Sequence, residues 1–342
     1  MKKILIIGSA PCHVGGVAVH IKRLTEYLSD SFAFDIVDES KDVSEEYFNV
    51  RSFDLYGYLK RIVSSDIIHI QSGVPLIRLI HVFVSKLFFK KVIVTIHHDP
   101  NVEGYTGQLI NRVVFPLCQS VIFVNKEGYT SFNGSTHKNY FMMPAFLPQD
   151  IRTEQKLPDT ILDWVEKNKL EGRPLLVSNA WKLVVSDWVD LYGLDMCIRA
   201  VKKAKMDSKP LSLIFILVST GNNNDLYLKY CEYIKENHLD DYILIYVGAI
   251  SFVRLILLSD LVVRPTSTDG DALSIREALY VGKSVLASDV VQRPRGTFLF
   301  KSRDEEDFYI NIRKALLASP SENVGTKVEL NRILDFYRKI YK

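Results

Sequence analysis

The chain has 342 residues, 47% of them hydrophobic and 24% charged, with a formal net charge of +3. That length exceeds one typical core and leads us to expect two domains, while the small charge argues against nucleic acid as a main partner. Cys12, Cys118, Cys197 and Cys231 form no CxxC pair and read as free thiols of a reducing, cytoplasmic compartment. No stretch approaches the roughly 20 apolar residues that span a bilayer.

The opening apolar run, ILII, ends after four residues and reads as a first strand rather than a secretion signal. Short apolar runs then alternate with helix-period segments, which predicts an α/β fold with parallel sheets. Strands are expected at 4–7, 34–37, 66–70, 92–96, 120–124 and 140–143, and helices at 17–28, 56–64, 76–89 and 107–118. Residues 1–150 thus read as one doubly wound domain. The proline-bearing stretch PAFLPQDIRTEQKLPDT opens a linker expected over 151–172. The pattern restarts in a second domain over 173–320, with strands at 175–178, 212–218, 242–247, 261–264 and 284–288. Its helices are expected at 191–203, 225–237, 252–258, 275–281 and 305–318. A basic amphipathic segment over 321–342 closes the chain. In doubly wound sheets ligands bind beyond the carboxyl ends of the strands, so the strand-to-helix turns are the places to look, and two such domains imply a cleft.

Four of these turns carry distinctive chemistry. Gly8–Val17, GSAPCHVGGV, sets Gly15 and Gly16 where the first helix begins. Glycine amides there either admit a phosphate or simply make a tight turn, and GxGxxG is not matched. At the end of VIVTIHHD, alternation sends His97 and His98 in opposite directions, so the two cannot readily share a metal. His97 is free to face a ligand or to pair with Asp99 in the loop. Lys182 follows the first strand of the second domain and reads either as a diphosphate cation or as a solvated lysine. The fourth turn, RPTSTDGDALSIREALYVG, places Asp269, Gly270 and Asp271 before a helix that carries Glu277. Here Ser274 and Glu277 fit a capping box, with Gly282 ending the helix. Alternatively the helix starts near Ala272, the amides of Asp271, Ala272, Leu273 and Ser274 face a phosphate or sugar, and Glu277 accepts hydrogen bonds from a ribose diol.

In order along the chain, VGGVAVHIKRL, DIIHIQS, VIVTIHHD, VIFVNKE, FMMPAF, LDDYILIYVGAI and LILLSDLVVRPTS lead up to Asp269, seven residues, Glu277 and then GKSVLASD. This series resembles glycosyltransferase family 4, retaining sugar transferases of the GT-B fold, over nearly the whole chain. The resemblance implies two Rossmann-like domains and a C-terminal helix packing back on the first. It implies transfer of a sugar from a nucleotide-diphosphate-sugar donor to a glycan or lipid-linked acceptor hydroxyl in surface polysaccharide biosynthesis. No metal or other cofactor is expected. Glu277 would hold the ribose and Asp269 would sit beside the donor sugar, near the amides of Asp271, Ala272 and Leu273. His97 would lie near the transferred sugar, Gly15 and Gly16 would leave room for the diphosphate, and Lys182 would be its cation. The chain departs from the family pattern in three places: Asp269 stands for Glu, Tyr192 replaces a lysine before Gly193, and Asn179-Ala180-Trp181-Lys182 replaces Gly-Arg.

Three other readings compete. Asp269-Gly270-Asp271 is literally a DxD, which in another transferase fold holds a divalent metal; its place after two Rossmann-like patterns makes that a coincidence here. A sugar-nucleotide epimerase shares the two-domain plan, and a non-catalytic sugar-nucleotide-binding subunit would suit the missing lysine. The segment 76–91 is apolar nearly all round and reads as a core helix. Its Arg78, Lys86, Lys90 and Lys91 also suit peripheral contact with the inner face of a membrane.

Overall fold

The computed structural model describes residues 1–342 except Val14, Asp99, 133–135, 187–188, Asp271 and 319–323, with the backbone alone described at 101–102 and 324–329. The chain divides into two compact units, Met1–Leu147 with Val328–Lys342, and Pro148–Lys327.

The first unit runs β1 (Lys3–Gly8), α1 (Gly16–Leu28), β2 (Ala33–Asp38), β3 (Phe48–Asn49), α2 (Leu55–Ser64), β4 (Ile67–Ile70), α3 (Pro75–Leu87), β5 (Lys91–Ile96), α4 (Gly104–Val114), β6 (Ser120–Phe123), α5 (Lys126–Ser131) and β7 (Tyr140–Met142). The strands form one parallel sheet in the order β3-β2-β1-β4-β5-β6-β7. Parallel strands covered on both faces read as continuous apolar runs, and KILIIG shows the consequence. Leu5 and Ile7 enter the core beneath α2, α3 and α4, with Ile62, Val82 and Val114. Ile4 and Ile6 point the other way, to Ile21 and Leu24 of α1.

The second unit runs α6 (Asp159–Leu170), β8 (Leu175–Lys182), β9 (Val185–Ser186), β10 (Val189–Asp190), α7 (Leu194–Met206), β11 (Ser212–Ser219), α8 (Asn224–Glu236), β12 (Ile243–Val247), α9 (Phe252–Leu258), β13 (Leu261–Arg264), α10 (Leu273–Tyr280), β14 (Ser284–Ser288), β15 (Phe298–Phe300) and α11 (Glu305–Leu317). Its parallel sheet has the order β12-β11-β8-β13-β14-β15, with β9 and β10 as a separate antiparallel pair. Leu176, Leu213 and Phe215 meet α7 and α11 on one face, and Val177, Ile214 and Ile216 meet α6, α9 and α10 on the other.

The last helix, α12 (Val324–Ile340), returns to the first unit. Ile333, Leu334, Tyr337 and Tyr341 pack beside Ile4, Ile6 and α1, as the resemblance implies. Two expectations change. The stretch expected as linker contains α6, whose Ile161 is fully buried in the second core. The segment 76–91 contains a helix whose inward side mixes polar with apolar residues rather than being apolar throughout. α3 buries Arg78, His81, Val82 and Ser85 and leaves Leu76, Ile80, Phe83 and Leu87 in solvent.

Candidate active site

In each sheet the chain winds outward one way, then restarts on the other side of its first strand. The switch falls between β1 and β4 in the first unit and between β8 and β13 in the second. Connections diverge at such a point and open a crevice at the carboxyl ends. The Gly8–Gly16 turn lies at the first switch, and Lys182 and the 265–272 loop at the second.

In the first unit, Asp38 at the end of β2 anchors the turn. Its carboxylate accepts from the Ala10 amide (3.0 Å), His13 Nε2 (2.8 Å) and Asn49 Nδ2 (2.9 Å). Burial opposes its charge, but these bonds and those from Ser40 hold its carboxyl below the ordinary range. Gly8 is there for packing, since a Cβ would come within 3.1 Å of Ile21 and 3.2 Å of Gln71. Gly15 and Gly16 differ: a Cβ on either would meet nothing within 4 Å, and α1 starts without a side-chain cap. Among the described residues no atom crowds a Cβ at these two positions.

His97 follows β5. Its Nε2 donates to Gln71 Oε1 at 2.7 Å, so in the neutral ring Nδ1 carries the lone pair. Burial, then His20, His69 and His98, push its pKa well below the usual imidazole value, so it is neutral at pH 7. His98 turns the other way, to Glu103 Oε1 at 2.6 Å. Asp99, the alternative loop partner, lies outside the described residues. Behind His97 is a buried polar chain that reaches the C-terminal helix. The His20 ring stands edge-on at 5.1 Å; its Nδ1 donates to Ala145 O (2.7 Å), and Tyr337 Oη lies 3.3 Å from its Nε2. His69, fully buried, bridges Tyr341 Oη (2.6 Å) and Thr95 Oγ1 (2.8 Å). Sequence reading missed Gln71, His20, His69, Tyr337 and Tyr341, because a tyrosine some 270 positions away cannot be paired with a histidine by periodicity.

In the second unit, Asp269 does not stand alone. Its carboxylate accepts from Arg264 Nε and Nη2 (both 3.1 Å), Arg293 Nη1 (2.8 Å), Thr266 Oγ1 (3.2 Å) and the Gly270 amide (3.0 Å). A carboxylate offers about four lone-pair sites, so these contacts occupy it. Burial works against its charge, but the Arg264 and Arg293 guanidiniums outweigh burial and keep its carboxyl below the usual range. The Tyr192 ring lies 5.4 Å from the Arg264 guanidinium, so the residue standing where the resemblance expects a lysine lies against a cation. Gly193 has no alternative: with φ of 71°, its Cβ would sit 2.2 Å from Pro265 O.

α10 begins at Leu273 with Ala272 as its cap and no side-chain cap bond. Ser274 therefore occupies the second helical position, and the capping box with Glu277 is not formed. Gly282, at φ of 80°, ends the helix through Gly282 N to Leu279 O (3.2 Å) and Lys283 N to Ala278 O (2.9 Å), a Schellman pair. Glu277 and Ser274 are both buried, at 8% and 7% exposure. Among the described residues the first helical amides thus have no side-chain cap, at the switch-point end of β13. Lys182, the last residue of β8, is exposed, with its stem 3.2 Å from a Cβ position on Gly221. Asp271 lies outside the described residues. Among the described residues no group of three or more His, Cys, Asp and Glu side chains is placed to hold a metal.

No protein-family model matches the sequence, and no curated protein does either. Solved structures do. The chain is similar to HepE (Alr3699) of Anabaena in complex with UDP-glucose, at 14% identity and TM-score 0.65, over 99% of this chain and 100% of that one. It is similar to sucrose-phosphate synthase of Thermosynechococcus elongatus, at 14% identity and TM-score 0.66, over 100% and 99%. It is also similar to a glycosyltransferase of Rickettsia africae, at 14% identity and TM-score 0.64, over 99% and 93%. At these identities the likeness is one of fold: the chain has the two-domain GT-B fold.

Proposed function

We propose that this protein is a retaining glycosyltransferase of the family 4 type, a hexosyltransferase that moves a sugar from a nucleoside-diphosphate sugar to a glycan or lipid-linked acceptor hydroxyl in surface polysaccharide biosynthesis. The observation that carries the reading is the start of α10. Among the described residues its first amides have no side-chain cap at a topological switch point, and Glu277 is buried one turn in. Free helix-start amides favour anionic groups, and a carboxylate can accept both hydroxyls of a ribose. Fold likeness to a chain crystallised with UDP-glucose supports the same ligand class.

In this reading Glu277 holds the ribose, and the amides of Asp271, Ala272, Leu273 and Ser274 serve the diphosphate and sugar. Lys182 neutralises the diphosphate as it departs, and Gly15 and Gly16 leave its path open. His97, neutral and oriented by Gln71, attends the transferred sugar, and Asp269 shapes the loop at the sugar end. Developing charge on the leaving diphosphate is met by amides and one lysine. No metal is proposed, because the Asp269 carboxylate already carries two guanidiniums. The protein would work in the cytoplasm, where nucleotide sugars are at hand.

A thermal-shift screen of UDP-, GDP-, ADP- and CMP-sugars, followed by transfer assays, tests the proposal. Glu277→Ala is expected to weaken the responding donor at least about tenfold. Unchanged affinity in a folded variant would remove Glu277 from the ribose. Tyr192 in place of the lysine favours a second reading, a sugar-nucleotide-binding subunit. Donor binding without turnover on any acceptor would support it.

A further inference from the structure

The outer helices of the first unit leave apolar side chains in solvent. α3 turns Leu76, Ile80, Phe83 and Leu87 outward at helical spacing, between 47% and 72% exposed. Its inner side carries polar groups beside the core residue Val82. Arg78, fully buried, donates to Glu103 Oε1 (3.0 Å), Asn111 Oδ1 and Ser72 O, along the seam with α4. His81 closes the seam with α2, bonding Tyr58 Oη at 2.5 Å and lying 2.8 Å from Glu39 Oε1. α4 and the short turn after it repeat the outward pattern with Tyr105, Leu109, Val113 and Leu117. Two neighbouring helices thus show one apolar surface. Isolated exposed leucines need no explanation, but contiguous stripes of this kind mark contact surfaces.

Within α2, α3 and α4 the charge has one sign, although exposed Asp54 caps α2 and exposed Glu127 lies on α5. α2, α3 and α4 contain no Asp or Glu, whereas Lys60, Lys86 and Arg112 lie on them and Lys90 and Lys91 follow α3. Lys60, Lys91 and Arg112 are exposed. Phe89, in the turn before Lys90, is 95% exposed although its φ of 55° is one that phenylalanine rarely adopts. The Lys90 ammonium holds that turn by donating to Val63 O (2.7 Å) and Ser65 O (2.8 Å). The carboxyl ends of α3 and α4 lie at the amino edge of the parallel sheet, opposite the strand ends that carry Gly15, Gly16 and His97.

We propose that the outer face of α3 and α4, with the Phe89 turn, docks on an anionic phospholipid bilayer, apolar stripes entering the interface and the basic rim meeting the headgroups. A second copy of the chain fits less well, since a two-fold contact would set one basic rim against another. The proposal deepens the lipid-linked acceptor reading by naming the surface that brings the enzyme to its substrate. Vesicle binding is read without turnover, so its failure and the failure of the transferase reading are separate results.

The test is sedimentation of the full chain with unilamellar vesicles of phosphatidylcholine alone, or of equal parts phosphatidylcholine and phosphatidylglycerol. The wild type is expected to sediment with the mixed vesicles only, and to be released by high salt. A variant carrying Leu87→Gln, Phe89→Asn and Leu109→Gln, and one carrying Lys86→Glu, Lys91→Glu and Arg112→Glu, should each bind at least about tenfold more weakly. Most of these positions are exposed and outside the donor site, so melting temperatures should hold; if the apolar variant misfolds, the charge variant decides. Absence of wild-type binding to mixed vesicles would overturn the proposal, as would wild-type affinity in both variants. Self-association in the ultracentrifuge that the apolar variant abolishes, without vesicle binding, would assign the face to a second copy instead.

Discussion

Replacing Asp269 by Ala removes the acceptor of two guanidiniums that are themselves 13% and 2% exposed, at Arg264 and Arg293. Exposed ion pairs contribute about 0–1 kcal/mol, but breaking a buried one costs about 3–5 kcal/mol, because the remaining charge stays desolvated and unpaired. The second unit spans Pro148–Lys327, a size at which 1 kcal/mol moves the midpoint by about 2–4 °C. The expected fall is therefore roughly 6–20 °C, confined to that unit's transition in differential scanning calorimetry. Asp269→Asn keeps the shape and loses the charge, so it should fall less. The pH dependence has a definite sign. Burial alone would raise this carboxyl, yet the guanidiniums hold it below its unfolded value, so its contribution is present above the ordinary carboxylate range and is lost as pH falls through the folded pKa. The gap between wild type and Asp269→Asn should narrow below about pH 4. A midpoint for Asp269→Ala within about 2 °C of wild type, with donor affinity lost instead, would refute the clamp and return Asp269 to direct contact with the sugar.

Gly16→Ala adds a Cβ that meets nothing within 4 Å, so the melting temperature should hold while donor affinity falls about tenfold; equal donor binding would show that no phosphate approaches there. His20 and His69 are buried, which lowers their pKa values to about 4 and about 3. Both are depressed below the unfolded value near 6.5, so their contribution is full above pH 6.5 and is lost as pH falls toward 4. Scanning calorimetry should find the first unit's midpoint falling between pH 6.5 and 5, and less so in His20→Gln. A flat profile would contradict this.

Much of the scaffold was legible in the sequence because it rests on local patterns. Buried parallel strands such as KILIIG, LLVS and SLIFILV announce themselves by composition, and Gly282 ends its helix where a C′ glycine should. The short strands were not legible: Phe48–Asn49 and Phe298–Phe300 are two and three residues long, too brief for a period to register. α6 was hidden inside a proline-rich approach. α3 was read as a core helix because its apolar residues run nearly all round. Only the neighbours Glu103, Asn111 and Tyr58 show why Arg78 and His81 are turned inward beside Val82.

The candidate site divides along the same line. The sequence by itself pointed to the strand-end turns as the candidate site, because doubly wound sheets put their connections at strand ends and glycines and acids in those turns stand out. It also identified Glu277 as the carboxylate to watch. Tertiary structure decided what the carboxylates do. The Ser274–Glu277 capping box is absent because α10 starts at Leu273, with Ala272 as its cap. Asp269 is held by Arg293, 24 residues away, across a turn whose path no local rule fixes. His97 is aligned by Gln71 from the neighbouring strand end, and behind it His20 and His69 bond Tyr337 of the last helix and Tyr341 just past it. Partnerships between distant residues depend on strand order, which in a single sequence leaves no periodic trace.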